Sequence, residues 1–180
     1  MTPYSLAFYL EAVTTGTVLG LRPDDSPERV EGVLGTEYGE NGRRHTLWRD
    51  YGLVEFHWHR AHAADPWSGH HISLQVHRLA RRDRALAGSV LRARYGRFAP
   101  RLRSDKLHRL LERRGAPLVP APEAAPNTPY YRTYEHPASR ATVTVVAAYG
   151  EYSTPRNLRP GHVYAIHLPA ADAARGARTA

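Results

Sequence analysis

The sequence predicts an α+β fold in which antiparallel sheets carry short helices packed on one face. Two neighbouring runs, 52–59 and 70–79, alternate apolar and polar residues as half-buried strands do. Two short segments, which begin near Ser26 and Ser104, have the capping residues and the apolar stripe of amphipathic helices. Three further strand candidates follow towards the carboxyl end, and nothing in the chain has the long alternating pattern of a parallel α/β sheet.

The first elements are predicted from local signals. Residues 4–13 are apolar enough for a helix or a strand, and their periodicity does not distinguish the two. Residues 27–34 are predicted to be a helix, because Ser26 can cap it, a proline suits its first position and a glycine suits its end. The segment 36–50 is polar and contains two glycines, which predicts a loop.

The two alternating runs predict a hairpin with one apolar and one polar face. If its centre is near residue 65, His59 lies opposite His71 and the apolar residues pair with one another. The apolar face then contributes to the core the residues Val54, Phe56, Trp58, Ile72, Leu74 and Val76. The other face forms a polar stripe, defined as Glu55, His57, His59, His71, Ser73, Gln75 and His77.

The remaining segments complete the predicted layout. A helix is predicted over 80–95, although Gly88 weakens it, and another follows Ser104 as its N-cap. Residues 116–129 hold five of the fourteen prolines, which indicates an extended connection. Strands are predicted at 130–136, 141–149 and 161–168.

These elements group into four parts along the chain. They are a first helix-plus-hairpin unit over 1–79, a basic helical segment over 80–115, a proline-rich connection with a second strand set over 116–169, and a frayed tail over 170–180. Each capped helix is followed by a loop and antiparallel strands. This order also suggests two structurally related units.

The net charge of +8 comes from one part of the chain. Residues 1–60 carry nine acidic residues against six arginines, a net charge of −3. Residues 78–114 carry thirteen basic residues against three acidic ones, a net charge of +10. Such a band can contact phosphate backbones or an acidic protein surface, or it can simply be solvated.

Several residues and motifs that the sequence lacks narrow the types of site, location and activity that can be expected. The sequence has no cysteine, which excludes disulfides and zinc–thiolate sites and fits a reducing cytoplasm. It has no apolar run near the length of a membrane span and no basic start of a signal peptide, so we expect a cytoplasmic protein that does not enter membranes. GxGxxG, GxxxxGK[ST], HExxH and GxSxG are also missing, so neither enzymatic activity nor a cofactor is predicted.

Three interpretations of the polar stripe compete. In the first, zinc is held by His57, His59 and His71, with Glu55 as a further candidate ligand, because histidines two apart on a strand point the same way. A flat sheet face, however, seldom brings ligands to one tetrahedral point. Alternatively the stripe binds a partner protein together with the basic segment after it. In the third interpretation solvent or the helix predicted over 80–95 covers the stripe. The candidate partner-binding residues are Glu55, His57, His59, His71, Ser73, Gln75, His77, Arg81, Arg82 and Arg84.

Nucleic-acid binding is the alternative use of the basic segment 78–114. Its arginines offer many phosphate contacts in principle. No helix-turn-helix pair, zinc finger or aromatic RNA-stacking motif accompanies them. The segment alone therefore predicts nonspecific binding at most.

The first third of the chain resembles a known family. The segments "LGLRPDDSPERVEGVLG", "RDYGLVEFHW" and "HISLQVHRL" are similar to small immunity proteins of bacterial polymorphic toxin systems, especially those of actinobacteria. Those proteins often show a helix of pattern I-x-x-G-D-S-x-x-x-V-x-x-x-L-G before a strand of pattern Y-G-x-L-E-F-x-F. The matching residues are Ser26, Val30, Leu34, Gly35, Tyr51, Gly52, Val54, Glu55 and Phe56.

The resemblance implies a protein that binds a cognate toxin stoichiometrically and occludes it. Such an inhibitor works through a rigid complementary surface and needs no active site. Inhibitors of nuclease toxins are usually acidic, so a net charge of +8 fits a toxin with an acidic surface better than a nuclease.

Overall fold

The computed structural model describes residues 4–81, 85–122, 129–148 and 158–170. Within these ranges the α-helices are α1 (Tyr4–Thr15), α2 (Pro27–Leu34), α3 (Ser89–Tyr95) and α4 (Ser104–Glu112), and two 3-10 helices span Val76–Arg81 and Ala85–Ala87. The strands are β1 (Gly39–Gly42), β2 (Thr46–Asp50), β3 (Val54–His59), β4 (Ser68–Leu74), β5 (Val119–Pro120), β6 (Tyr131–Glu135), β7 (Thr142–Val146) and β8 (Val163–Pro169).

The described strands form one antiparallel sheet in the order β1-β2-β3-β4-β8-β7-β6-β5. This sheet and the short helices confirm the predicted α+β class. The carboxyl-terminal strand β8 pairs with β4, with Ile166 opposite Leu74, so strands from both ends of the chain share the sheet. Buried side chains from both ends accordingly belong to one hydrophobic cluster.

One face of the sheet forms the hydrophobic core with α1, α2, α3 and α4. The six residues that alternation assigned to the core are confirmed there: Val54, Phe56, Trp58, Ile72, Leu74 and Val76 are each 2% exposed or less. Phe8 of α1 packs edge-on against Tyr95 at 5.2 Å and against Phe98 at 5.4 Å between ring centroids. The aromatic rings thus join the helices to one another on the core face.

The segment that periodicity left undecided, α1, is a helix. Seven of its twelve residues are buried, because it contacts α3, α4 and β8. A helix that is apolar on nearly all sides shows no single stripe in its sequence, which explains why the pattern did not distinguish helix from strand. Among the described residues, no helix has the length and apolar character needed to cross a membrane.

The bounds of α2 confirm the prediction for 27–34. The Ser26 hydroxyl accepts a hydrogen bond from the Arg29 N–H at 3.3 Å, as an N-cap does. Val30 and Leu34 of the predicted apolar stripe are buried. These signals are local in sequence, so the bounds of this helix can be predicted without knowledge of the rest of the fold.

The predicted loop at 36–50 is wrong in part, because it contains β1 and β2. β2 pairs with β3 along five residues, with Trp48 opposite His57, and β1 pairs with the outer side of β2. The four residues of β1 are all exposed and show no apolar alternation. Pairing with a neighbouring strand determines such an edge strand more than its own composition does.

The predicted strand 70–79 and the predicted helix 80–95 are both too long. β4 ends at Leu74, and the first 3-10 helix begins at Val76. At the other end of the predicted helix only α3 is α-helical. Gly88 precedes α3 with a φ of 67°, which ordinary residues rarely adopt, so a continuous helix cannot pass through it. Residues 82–84 lie outside the described residues.

The later elements follow the predictions closely. α4 begins at Ser104 itself, with Arg103 as its N-cap, because the Ser104 hydroxyl donates to a backbone carbonyl before β8 instead of capping the helix. β6, β7 and β8 correspond to the strands predicted at 130–136, 141–149 and 161–168. The predicted connection 116–129 includes β5, and the predicted tail 170–180 lies, except for its first residue, outside the described residues.

Candidate functional site

The face of the sheet opposite the core carries the β3 and β4 residues of the polar stripe. His57 lies opposite His71 and Glu55 opposite Ser73, whereas the predicted register placed His59 opposite His71. The predicted register is therefore wrong by two residues. A shift of two leaves every side chain on its predicted face, because the side-chain period of a strand is two.

A β-bulge in β4 accompanies this change of register. The ladder runs from Gly69 to His71 and skips His70. Glycine is required at Gly69, because a Cβ there would lie 1.9 Å from the backbone carbonyl oxygen of Pro23. The chain that leads into α2 therefore lies directly against the start of β4 and holds the bulge in place.

The bulge brings four histidines together. Neighbouring residues of a regular strand point to opposite faces, but the Nδ1 atoms of His70 and His71 are 2.6 Å apart. His57 stacks on His71 with 4.1 Å between ring centroids, and His59 lies edge-on to His70 at 5.6 Å. Three of these residues belong to the predicted stripe, and His70 joins them because the bulge changes the alternation.

These four histidines line an open cleft of about 390 Å³ over β2, β3 and β4, named the histidine cleft below. Trp48 of β2 also lines it, with its ring nearly parallel to that of His57 at 6.0 Å between centroids. The Nε1 atom of Trp48 is buried and has no hydrogen-bond partner among the described residues. The rest of the lining consists of Asn41, Arg43, Thr46, Leu47 and Trp58.

The next part of the polar stripe belongs to an ion-pair network within the chain. Arg78 of the first 3-10 helix donates to the two carboxylate oxygens of Asp50 at 2.9 and 3.0 Å and to Glu55 at 2.5 Å. Gln75 donates to the other oxygen of Glu55, also at 2.5 Å. Burial opposes the charge of Glu55, but the neighbouring His57, Gln75 and Arg78 outweigh it and lower the pKa of Glu55. Glu55 therefore stays ionised, with both oxygens engaged.

Ser73, also in the predicted stripe, is paired with a histidine of β8. Its hydroxyl is 2.9 Å from Nδ1 of His167. The two groups have the atoms of a nucleophile and a base. Ser73 is only 2% exposed, so a substrate cannot reach its hydroxyl.

The last predicted residues lie away from the cleft. His77 is in the first 3-10 helix instead of β4, and its ring stacks on Tyr164 at 4.3 Å between centroids. Arg81 is exposed at the end of the same helix, while Arg82 and Arg84 lie outside the described residues. The basic segment 78–114 contacts the polar stripe through Arg78, which donates to Glu55. This contact does not involve the α-helix predicted over 80–95.

Burial keeps two histidines of the cleft uncharged at neutral pH. Burial, together with the neighbouring His57, His70 and His167, lowers the pKa of His71 to about 3. Burial and the neighbouring His59 and His57 also lower the pKa of His70. Because the two Nδ1 atoms are 2.6 Å apart, one ring donates the shared hydrogen bond and the other accepts it. The pair therefore acts as a polar, neutral unit.

Four residues of this face escape prediction from the sequence: Trp48, His70, Arg78 and His167. A tryptophan within the polar segment 36–50 is the signal that marks Trp48, since large aromatic residues are rare in solvated loops. The tandem histidines at 70–71 mark the bulge less clearly. Nothing local in the sequence places Arg78 or His167 beside β3.

Neither a metal site among the described residues nor a related protein assigns a role to this face. Within the described ranges, no group of three or more histidine, aspartate or glutamate side chains is placed to hold a metal ion. Comparison of the chain with protein-family models, with curated proteins and with solved structures finds no match. The function is therefore argued from the histidine cleft.

Proposed function

We propose that the chain is a non-catalytic cytoplasmic protein that binds another protein through the histidine cleft, as an immunity protein that neutralises a cognate bacterial toxin. The observation that carries the proposal is the open cleft of about 390 Å³, whose lining places Trp48 and four histidines side by side. Aromatic side chains on a rigid surface are common anchors in protein interfaces. The toxin-directed part rests on the resemblance of "RDYGLVEFHW", which covers most of β3, to immunity proteins.

The position of the cleft on paired strands supports this role. Trp48 and the four histidines project from β2, β3 and β4, within the sheet. Arg78 holds β2 to β3 by binding Asp50 and Glu55 together. Side chains held in this way lose little freedom on binding, which favours affinity and specificity.

The arginine-rich segment 78–114 favours nucleic-acid binding less strongly than its composition suggests. Arg78 is engaged with two carboxylates, and Arg103 pairs with Asp105 at 2.8 Å. The arginines of α3 and α4 belong to the helical layer, across the sheet from the histidine cleft. They therefore do not continue the cleft into a single basic track.

Co-expression with the toxin encoded by an adjacent gene tests the proposal. We expect the two proteins to co-purify in equal amounts and the host to survive. We expect the double variant Trp48→Ala and His57→Ala to lose both effects, because it removes the wall of the cleft. Arg109→Ala, an exposed position on α4, is the matched control and should behave as wild type.

Thermal unfolding of each purified variant shows whether the double variant is folded. Failure of the wild-type protein to co-purify and to protect the host would overturn the proposal. Full protection by a folded double variant would overturn the assignment of the binding surface to the cleft.

A further inference from the structure

The described lining of the histidine cleft is rich in hydrogen-bond donors and contains no acidic side chain. Asn41, Arg43 and Thr46 line it beside the four histidines and Trp48. Arg43 only donates hydrogen bonds and is charged, whereas a neutral imidazole, an amide and a hydroxyl can each donate or accept. The lining can therefore hold an anion made of acceptors, with its fixed positive charge supplied by Arg43.

The turns at the open end of the cleft are basic as well. Arg43 and Arg44 are exposed between β1 and β2, and neither takes part in an ion pair of the described residues. Arg60, in the turn after β3, lies 4.0 Å above the ring of Trp67. Asp65 is the one acidic residue in these two turns, and it already accepts a hydrogen bond from a backbone N–H. An arriving anion therefore meets three arginines and the single carboxylate of Asp65.

We propose that the histidine cleft binds side-chain carboxylates from an acidic segment of the protein partner. The inference rests on the proposed function and names the chemistry of the partner. A carboxylate in the cleft would pair with Arg43, the charged residue of its lining, through a charge-assisted hydrogen bond. The net charge of +8 would also draw an acidic partner towards the chain over longer distances.

A short acidic segment fits this site better than a nucleic acid does. A protein groove that binds single-stranded nucleic acid contacts several nucleotides, about 4–16 in an OB fold, and needs cations along the whole of that length. The cations beside the cleft, Arg43, Arg44 and Arg60, are confined to two turns at one end of the sheet. The arginines of α3 and α4 belong to helices that pack on the core side of the sheet.

The His70–His71 pair stays neutral when a carboxylate binds between about pH 6 and 8. Burial and the neighbouring histidines lower the pKa of His71 to about 3 and also lower the pKa of His70. Glu55 alone among the facing groups raises the pKa of His71, and Arg78 already holds it. The groups that face the cleft histidines are Glu55, His57 and His59 on β3, His70 and His71 on β4, and His167 on β8, with the arginines of the two turns at the rim.

Calorimetric titration of the full chain with an end-blocked hexaglutamate peptide tests the inference. We expect binding of hexaglutamate at about pH 6.5 and at about pH 8, and none of hexaglutamine. Arg43→Gln should weaken binding about tenfold. Arg109→Gln on α4 is the control that removes the same charge away from the cleft, and it should leave the affinity unchanged.

The remaining outcomes either overturn the carboxylate site or separate it from the proposed function. Equal binding of hexaglutamine, tighter binding of an octathymidylate, or an equal loss in Arg109→Gln and Arg43→Gln would each overturn it. If hexaglutamate does not bind but the toxin co-purifies through the cleft, the carboxylate inference is wrong and the proposed function stands. If hexaglutamate binds in the cleft but no toxin co-purifies, the carboxylate site stands and the immunity function is wrong.

Discussion

Replacement of Arg78 by methionine should destabilise the fold strongly. Arg78 donates to Asp50, Glu55 and the Gly52 carbonyl over distances of 2.5 to 3.0 Å, although 23% of its side chain is exposed. Methionine keeps part of the apolar stem but leaves Glu55, at 5% side-chain exposure, as a buried carboxylate without its cation. Removing one partner of a buried pair costs about 3–5 kcal/mol, and the partial exposure of Arg78 and Asp50 places the expected loss near the lower value.

Urea denaturation at neutral pH, followed by tryptophan fluorescence, measures this loss in the free energy of unfolding. Arg103→Met is the control, because the Arg103–Asp105 pair is 69% and 56% exposed and such pairs contribute little to stability. Glu55→Gln in the Arg78→Met background should restore part of the stability, since the amide carries no charge. A cost for Arg78→Met no greater than that for Arg103→Met would refute this reasoning.

Three further predictions concern the bulge, the buried histidine and the core. Gly69→Ala should lower the free energy of unfolding by about 1–3 kcal/mol or more, because its Cβ would meet a backbone oxygen at 1.9 Å. In the same urea assay Gly32→Ala on α2, whose Cβ would meet no atom within 4 Å, should raise the free energy of unfolding by about 0.5–1 kcal/mol. The pKa of His71 is lowered to about 3, against about 6.5 in the unfolded chain, so the unfolded chain binds more protons between these pH values. Stability should therefore fall on acidification through that window by up to about 1.4 kcal/mol per pH unit from this group, and an equally steep fall in His71→Gln would contradict the assignment. Trp58→Ala should lower the free energy of unfolding by about 3–5 kcal/mol because the side chain is buried. Tyr4→Ala, at 71% exposure, should leave the free energy of unfolding almost unchanged. Similar urea midpoints for the two variants would show that Trp58 does not pack as described.

Elements whose signals are local could be predicted from the sequence. The alternation in β3 and β4 placed Phe56 and Ile72 in the core, because a period of two follows from strand geometry alone. The Ser26 cap located α2, because N-capping depends only on residues that are close in sequence. β1 and β2 could not be predicted, since an exposed Gly-Glu-Asn-Gly strand exists only through its pairing with Trp48 and its neighbours.

The histidine cleft was predictable only in part. Alternation placed His57, His59 and His71 on one face, and the structure has them there. The addition of His70 depends on a bulge held by contact between Gly69 and Pro23, which are far apart in sequence. Contacts of this kind have no periodic signature, so the sequence shows the face of the sheet but not the shape of the site.

The most direct test of the central claim is a calorimetric titration of the purified toxin domain into the full chain. Binding at the histidine cleft predicts a 1:1 complex that weakens about thirtyfold or more in the folded double variant Trp48→Ala and His57→Ala, as expected for residues at the centre of an interface. It predicts wild-type affinity for Arg109→Ala. Unchanged affinity in the double variant, or a loss confined to Arg109→Ala, would contradict the claim that the histidine cleft is the binding surface.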